Sequence, residues 1–472
     1  MTKTYITTAI PYVNGAPHVG HAMDYCLADV FARYSRALGE DVRLQAGVDE
    51  HGNKIFQKAS SLGVPIQQFV DKNAGVFRDF IQELNVSNTD FIRTTDESHV
   101  RRCQEIWLKL KDHIYKSRYE GWYCSGCERF VTEKEYEENK GICPDHEKPY
   151  EKLSEENYYF RIADFKEQIR DAIVSQKMLI LPEFRRNEIL ALLEESPDVS
   201  ISRSISQLTW GVPVPDDESQ VMYVWIDALS NYITVLGYPD QDISEWWPAA
   251  VQFVGKDILR FHTIIWPAML LGLGLPLPKV VLSHGFVLSN GQKMSKTIGN
   301  VVSPIDVLEK HGVDAFRYYF LRHVDAFLDS DFTWEKFEES YNNELANDLG
   351  NLVQRLATLM KKNELSFNSG HDFKFSDKYK RLMSNFEFTR AFDLVWEKIR
   401  SINRRIDDEK PWELAKNDKI EALANCLNSL VDDLLKANYE LAPFLPNVAS
   451  RITEIFSDEV TPPETPLFPK NK

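Results

Sequence analysis

Cysteine is scarce in this chain, with 6 residues among 472. A small secreted domain stabilised by disulfides needs a denser set, so that class is excluded and a reducing compartment is favoured. The first residues, MTKTYITTAI, hold neither a long apolar segment nor a small-residue cleavage site, and they predict no secretory signal. We therefore expect a cytoplasmic protein.

Long apolar runs are also missing. The most apolar stretch, 264–278, contains three prolines. A transmembrane helix needs about 20 mostly apolar residues, so this stretch predicts a buried helix and loop, and no membrane partner is expected. The composition, 43% hydrophobic and 27% charged, is typical of a folded globular chain. The length predicts roughly two to four domains.

Positive charge is in short supply, with 55 Lys and Arg against 71 Asp and Glu and a net charge of −16. Such a balance argues against a nucleic-acid partner if it is spread evenly. The charge is not spread evenly. Residues 346–472 hold 19 basic and 20 acidic residues, whereas residues 1–345 hold 36 basic and 51 acidic residues. The near-neutral last quarter weakens the objection to RNA binding without giving positive evidence for it.

The N-terminal pattern predicts a βαβ unit. TYITTAI is a β-branched, aromatic strand, PYVNGAP is a loop, apolar residues then recur at helical spacing up to Gly39, and DVRLQAG is a second strand. Strand, helix and strand in this order favour a parallel sheet. A second α/β block spans about 220–290, with strand-like segments VMYVWI, VQFVG and KVVLS.

The predicted fold class is therefore α/β, with a parallel, Rossmann-type domain that is split by an insertion and followed by an all-α bundle. The bundle is predicted from leucine-rich helical stripes after about residue 346. The predicted divisions are a first α/β half (1–115), an insertion (116–214), a second α/β half (215–295), a region that begins with a loop (296–345) and a helical domain (346–472).

The stretch PHVGH places His18 and His21 where the first strand leads into the first helix. Ligands of parallel sheets bind at this edge, and a helix N-terminus favours negative charge. Two imidazoles here could donate hydrogen bonds to phosphate oxygens, and Gly20 permits close approach of the backbone. Taken alone, such a pair is more often two structural histidines near a turn.

The stretch SNGQKMSKTIGN places Lys293 and Lys296 on a glycine-punctuated loop of the second block. Two lysines on such a loop could close over a polyphosphate and neutralise departing pyrophosphate. Without other motifs, the same loop would be interpreted as a solvated basic turn.

Four residues have the spacing of a zinc site: Cys124 and Cys127 form CxxC, and Cys143 and His146 form CxxH. Three thiolates and one imidazole fill a tetrahedral shell, which indicates one structural Zn²⁺ per chain. The alternative is a set of unrelated cysteines in a reducing compartment.

HVGH and KMSKT resemble the two signature motifs of class I aminoacyl-tRNA synthetases. The resemblance is close to the methionyl-tRNA synthetase family and covers nearly the whole chain, with motifs in the family's order: AIPYVNGAPHVGH, GVDEHGNK, the cysteine cluster, YVWIDAL, FVGKDILRFH, KMSKT, NDLGNLVQR and EKPWEL. It implies that methionine and ATP form methionyl-adenylate, with Mg²⁺ on the phosphates, and that the methionyl group then passes to the 3′ end of tRNA(Met).

The resemblance also implies residue roles. Asp49 would bind the ammonium group of methionine, Asp257 the ribose, and the helical domain the anticodon. The implied catalytic residues are His18, His21, Lys293 and Lys296. The implied methionine pocket is Ile10, Tyr12, Trp225, Tyr232 and His262. The implied ATP contacts are His18, His21, Gly255, Asp257, Val287, Lys293 and Lys296, and the implied anticodon contacts are Asn351, Arg355, Pro411 and Trp412.

Three other functions share some of these sequence features. A class I synthetase for another aliphatic amino acid would carry a large editing domain, for which an insertion of about a hundred residues leaves little room. A small-molecule nucleotidyltransferase would share the HxGH loop but not KMSKT or the bundle. A non-catalytic RNA-binding module would not need either motif. The chain ends at LFPKNK, without the appended dimerising domain of some family members, so we expect a monomer.

Overall fold

The computed structural model of the chain describes residues 1–124, 129–145, 147–223, 225–294, 302–367, 373–457 and 459–470. In this part of the chain, strands and helices alternate up to about residue 332, and the remainder is almost entirely helical. No helix of the described residues is long and apolar enough to cross a membrane.

Runs rich in β-branched and aromatic residues form most of the strands. In chain order the strands are β1 (Lys3–Thr7), β2 (Asp41–Val48), β3 (Asp90–Arg93), β4 (Ile114–Cys124), β5 (Arg129–Val131), β6 (Glu151–Phe160), β7 (Leu179–Leu181), β8 (Val199–Ser200), β9 (Ser202–Ser204), β10 (Gln220–Met222), β11 (Val251–Gly255), β12 (Val280–His284), β13 (Val287–Ser289), β14 (Gln292–Lys293) and β15 (Ser330–Phe332).

Segments with apolar residues at helical spacing form the helices. These are α1 (Val19–Ala37), α2 (Asn53–Ser61), α3 (Ile66–Glu83), α4 (Glu97–Lys109), α5 (Glu133–Glu138), α6 (Lys166–Val174), α7 (Phe184–Glu195), α8 (Trp225–Thr234), α9 (Trp266–Gly272), α10 (Pro304–His311), α11 (Val313–Arg322), α12 (Trp334–Ser340), α13 (Asn351–Lys362), α14 (Asp377–Ser384), α15 (Phe388–Glu409), α16 (Pro411–Lys416), α17 (Ile420–Leu441) and α18 (Pro446–Ile455). Short 3₁₀ turns occupy Lys111–His113 and Ile162–Phe165, and π-helical segments occupy Phe261–Ile265 and Tyr341–Gly350.

The central sheet is parallel throughout and, in the described residues, has the strand order β3-β2-β1-β11-β12-β7. The order reverses between β1 and β11, and this reversal opens a crevice at the carboxyl ends of the strands. The βαβ unit predicted at the N-terminus and the strands predicted from VQFVG and KVVLS are thereby confirmed, as is the parallel, Rossmann-like sheet. Gly39 has φ +85° directly after α1, as a helix-terminating glycine should.

Two elements differ from the predicted pattern. VMYVWI was predicted as one strand of the second α/β block, which is wrong: β10 pairs antiparallel with β9 outside the central sheet, and Trp225 already begins α8. Short apolar runs do not distinguish strand from buried helix, and that ambiguity explains the error. Further, β7 belongs to the predicted insertion by sequence, yet it pairs with β12 at the edge of the central sheet.

The rest of the insertion is built on an antiparallel sheet of order β5-β4-β6-β8 in the described residues. β4 and β6 form a long antiparallel pair from Ile114 to Phe160, and Cys124 lies at the end of β4. In sequence, this pair of strands falls between β3 and β11 of the central sheet.

Lys293, predicted to lie on a loop, instead ends β14 in a small second sheet. β13 pairs antiparallel with β14 through a turn at Asn290 and Gly291, which have φ values of +53° and +74°. These angles fit the tight Asn-Gly turn predicted from the sequence. β13 also pairs parallel with β15, so it lies between β14 and β15.

The C-terminal helices pack on one another and on α1, so the bundle and one face of the central sheet share a continuous apolar core. The predicted stripes around Leu352 and Leu427 are buried in it. α12, the segment Tyr341–Gly350 and α13 follow one another without interruption, and the predicted division at residue 346 lies inside this run. A second core covers the other face of the sheet and the base of the insertion.

Candidate active site

The two histidines of PHVGH cap the helix that they begin. His18 is the N-cap of α1, and its Nδ1 accepts a hydrogen bond from the backbone N–H of Gly20 at 3.1 Å. Nδ1 of His21 accepts one from the backbone N–H of His18 at 3.2 Å. The two rings are stacked, with centroids 3.6 Å apart. Because an accepting Nδ1 carries no proton, each neutral ring holds its proton on Nε2.

Burial and two neighbouring histidines keep the His21 side chain neutral. Burial lowers its pKa well below the usual value, and the nearby His18 and His284 lower the pKa further. His284, at the end of β12, lies 3.4 Å from Asp24 of α1 between Nε2 and Oδ1. Burial alone would lower the pKa of His284, but Asp24 raises it overall. A neutral His21 can donate a hydrogen bond to an anion without giving up a proton.

Gly255, Asp257 and Val287 lie at the same edge of the sheet. Gly255 ends β11 and is opposite His284 in register, and a Cβ added there would lie 2.7 Å from Asp257 Oδ1, so the Asp257 side chain would have to shift. Asp257 is exposed, whereas Val287, which begins β13, is buried. The structure thus brings the three predicted nucleotide contacts to the crevice beside His21.

Asp49 follows β2 and is buried, although it carries a carboxylate. Its backbone forms an isolated bridge with Tyr12, and its Oδ1 accepts from the backbone N–H of His51 at 3.1 Å. Ile10 is partly buried and lies close to the backbone of Gly47. A Cβ added to Gly47 would lie 3.1 Å from Cγ2 of Ile10. Ile10, Tyr12 and Asp49 therefore meet where β1 and β2 end.

The aromatic residues predicted for the methionine pocket lie on α8 and on the π-helical segment Phe261–Ile265. Trp225 stacks on Phe261, with centroids 3.5 Å apart, and the Tyr232 hydroxyl lies 2.7 Å from Nε2 of His262. Nδ1 of His262 donates to the carbonyl of Ile258 at 3.0 Å, so Nε2 accepts from Tyr232. Burial lowers the pKa of His262 to about 4 and raises that of Tyr232. This wall is uncharged near neutral pH.

Part of the predicted site lies outside the described residues. The parts that the structure does not describe are Lys296, Cys127, His146 and the side chain of Lys293. The other two predicted zinc ligands, Cys124 and Cys143, are both buried in one small cluster. In the described part of the chain, no group of three or more His, Cys, Asp or Glu side chains could hold a metal ion.

The predicted anticodon residues are brought together at one end of the bundle. Asn351 and Arg355 lie one helical turn apart on α13, and the guanidinium of Arg355 is 5.6 Å from the Trp412 ring centroid. Nη2 of Arg355 also donates to Asp407 at 3.0 Å. Pro411 is buried at the start of α16, while Trp412 is 41% exposed. An exposed tryptophan beside a cation is a suitable surface for stacking a base.

Comparison with known proteins gives the same assignment for nearly the whole chain. A family model described as "tRNA synthetases class I (M)" matches residues 4–152 and 145–357. The methionine–tRNA ligase of Thermotoga maritima is 40% identical over 98% of this chain and 76% of its own length. That of Brucella suis is 38% identical over 96% of this chain and 92% of its own length. This chain belongs to the methionyl-tRNA synthetase family.

The fold agrees with that of a solved member of the methionyl-tRNA synthetase family. The Mycobacterium tuberculosis methionyl-tRNA synthetase in complex with methionyl-adenylate superimposes with a TM-score of 0.91 at 34% identity. The alignment covers 99% of this chain and 100% of that one. The resemblance stated from the sequence motifs is therefore confirmed at the level of the family.

Several contacts of the site were not identified from the motifs of the methionyl-tRNA synthetase family. Phe261, which stacks on Trp225, directly precedes His262 in FVGKDILRFH, and an aromatic residue next to a predicted pocket residue was the available signal. The pair of His284 and Asp24, and the pair of His51 and Asp227, join residues 260 and 176 positions apart. No local pattern could have indicated either pair.

Proposed function

We propose that this chain is a methionine–tRNA ligase that activates L-methionine with ATP and transfers the methionyl group to tRNA(Met). The observation that carries the proposal is the pair of mutually capping imidazoles, His18 and His21, at the crevice that also holds Asp49 and the uncharged aromatic wall. A site for an amino acid with a neutral thioether side chain therefore lies beside a site for phosphate.

Methionine would be held at its two ends. Asp49 binds the ammonium group, and its burial strengthens this charge-assisted hydrogen bond. The thioether lies against Trp225 and Tyr232, since sulfur makes favourable contacts with aromatic rings. Ile10, Tyr12 and His262 complete the pocket. An uncharged wall disfavours amino acids with charged side chains, because their charge would be buried without a partner.

ATP would lie across the carboxyl ends of β1, β11 and β12. Gly255 and Val287 contact the nucleoside, and Asp257 accepts hydrogen bonds from the ribose. His21 and His18 donate from Nε2 to the α-phosphate region, where negative charge develops as the methionine carboxylate attacks. Lys293 and Lys296 would stabilise the departing pyrophosphate, with Mg²⁺ bound to the phosphates as part of the substrate.

The second reaction needs tRNA. After the adenosine hydroxyl at the 3′ end takes the methionyl group, AMP leaves. No covalent intermediate with the enzyme is required, so positioning and charge stabilisation supply the catalysis. The helical domain would bind the anticodon by stacking a splayed base on Trp412, with Arg355 and Asn351 in reach of the base edge or backbone and Pro411 fixing the start of α16.

Replacing Trp412 with alanine is expected to raise the KM for tRNA in aminoacylation by about 5- to 100-fold, because one stacked base contributes about 1–3 kcal/mol. Methionine-dependent ATP–pyrophosphate exchange, which needs no tRNA, should stay unchanged. Trp246, which contacts Lys3 of β1 and Arg43 of β2, gives a matched Trp246→Ala control. Equal losses of exchange and aminoacylation in Trp412→Ala would contradict an anticodon role.

The cysteine cluster would hold one structural Zn²⁺ through Cys124, Cys127, Cys143 and His146. The burial of Cys124 and Cys143 in one small cluster fits such a site, and a turn returns the chain beyond Cys143, where its N–H donates to the carbonyl of Lys148 at 2.8 Å. When bound, the metal would cross-link the segments that carry its ligands. It would have no catalytic role, because four protein ligands leave no coordination position for a substrate or water.

Metal analysis of the purified chain is expected to find about one zinc per chain, from the four-ligand count of a structural site. Cys124→Ser should lower that content to a small fraction, whereas Cys426→Ser, at a half-buried position against the bundle core, should leave it unchanged. A folded wild-type chain without zinc would refute the site.

The proposed function is tested by ATP–pyrophosphate exchange measured with each of the twenty amino acids. Exchange driven by methionine is the expected result. Exchange driven by isoleucine, valine or leucine would instead favour another class I synthetase, and exchange without any amino acid would favour a nucleotidyltransferase.

A further inference from the structure

A buried pair of side chains connects the two ends of the proposed methionine site. His51 lies two residues after Asp49, and Asp227 lies two residues after Trp225 in the first turn of α8. Nδ1 of His51 is 2.7 Å from Oδ2 of Asp227. The two side chains are 6% and 0% exposed, so water does not weaken the contact.

Each member of the pair is also tied to its own half of the site. The backbone N–H of His51 donates to Oδ1 of Asp49 at 3.1 Å, and the backbone N–H of Ala228 donates to Oδ1 of Asp227 at 2.9 Å. Asp227 thus accepts hydrogen bonds on both oxygens. A continuous path of hydrogen bonds leads from the ammonium-binding carboxylate to the helix that begins with Trp225.

Packing fixes the orientation of the His51 ring. The Trp210 ring meets it edge-on, with centroids 5.6 Å apart, and Nε1 of Trp210 donates to the carbonyl of Glu50 at 2.6 Å. Glu50, the next residue after Asp49, is itself buried and pairs with Arg93 at 2.9 Å. The loop that carries Asp49 and His51 is therefore held rigidly and can serve as a reference for the position of α8.

We propose that His51 and Asp227 are positioning residues that set the separation between the Asp49 carboxylate and the aromatic wall of α8, and that this separation selects amino acids by side-chain length. The inference rests on the proposed function, because it assigns Asp49 and Trp225 to the two ends of methionine. Neither His51 nor Asp227 needs to touch the substrate. Their loss lets the first turn of α8 move relative to Asp49, which weakens contacts at both ends of methionine but leaves the nucleotide crevice in place.

The test compares kinetic constants for methionine and ATP in pyrophosphate exchange. His51→Phe keeps a ring against Trp210 but removes the donor, and it should raise the KM for methionine by about tenfold, the effect of one lost buried hydrogen bond to a charge. The KM for ATP should stay within about twofold of the wild type, and the ratio of kcat/KM for methionine to that for leucine should fall. His51→Gln, which retains a donor, should restore most of the affinity for methionine.

Asp227→Asn tests the other member of the pair. It replaces His51→Phe in the kinetic test if that variant does not fold. It should raise the KM for methionine in the same direction, by about threefold, because an amide oxygen can still accept one hydrogen bond. The two changes combined should be less than additive, as expected for partners in one interaction.

A side chain that contacts the far end of α8 provides the control. Nη1 of Arg102 donates to the carbonyl of Thr234, the last residue of the helix, at 2.7 Å. Arg102→Gln should leave the KM for methionine unchanged. An equal rise in Arg102→Gln and His51→Phe, or an equal rise in the KM for ATP, would show that α8 is merely destabilised and would overturn the inference. A wild-type chain without methionine-dependent exchange would instead overturn the proposed function.

Discussion

His21→Ala is expected to slow methionine-dependent ATP–pyrophosphate exchange by roughly 100- to 1000-fold, the usual effect of removing one donor that stabilises charge in a transition state. The ring of His21 is the suitable donor because Nδ1 is committed to the backbone N–H of His18, which leaves the proton on Nε2. The loss should appear mainly in kcat, since the charge develops during attack on the phosphate.

The same substitution also removes a helix-capping acceptor, so its effect on folding has to be measured separately. Loss of a cap costs about 0.5–2 kcal/mol, which lowers the thermal midpoint but leaves a large domain folded. His113→Ala is a suitable control, because His113 pairs with Asp164 in the insertion at 2.8 Å. Exchange within threefold of the wild type in His21→Ala would remove this residue from the chemistry.

Arg317→Met is expected to lower the free energy of unfolding by about 3–5 kcal/mol, the cost of removing one partner from a buried ion pair. The guanidinium is fully buried, lies 2.8 Å from Asp29 of α1, and donates to the carbonyls of Leu84, Pro443 and Phe444. Burial alone would raise the pKa of Asp29, but Arg317 and Arg33 lower it overall. The substitution therefore leaves a buried carboxylate poorly neutralised and three buried carbonyls without these donors.

The measurement is denaturant unfolding followed by fluorescence, with Arg390→Met as the matched control. Arg390 pairs with Glu387 on the surface of the bundle and is 70% exposed, so its loss should change stability by less than about 1 kcal/mol. Because Arg317 joins α1 to the segment between α17 and α18, its loss should also lower the cooperativity between the sheet and the bundle. A change below about 1 kcal/mol in Arg317→Met would contradict this account.

The sequence was sufficient to predict the elements that follow local rules. β1, β2, β11 and β12 were recognisable because buried parallel strands are runs of β-branched and aromatic residues, and α1 because its apolar residues recur at helical spacing. The Asn290–Gly291 turn was predicted because few other residue pairs tolerate two positive φ angles. The prediction of VMYVWI as one strand was wrong because a short apolar run fits either a strand or a buried helix.

Long-range pairings could not be predicted in this way. The position of β7 beside β12 depends on how the insertion folds back, and the contact of His51 with Asp227 joins residues that are adjacent only in the folded chain. The motifs did not indicate that His18 and His21 would cap one helix together. That capping follows from geometry, because both side chains lie within one turn of the N-terminus of α1.

The most direct test of the account is a crystal structure of this chain with methionine and a non-hydrolysable ATP analogue. The account predicts that Nε2 of His21 and the ammonium groups of Lys293 and Lys296 lie within about 3.5 Å of oxygens on one triphosphate. It also predicts the methionine ammonium group at Asp49. A nucleotide bound at the crevice with both lysines directed to another surface would contradict it.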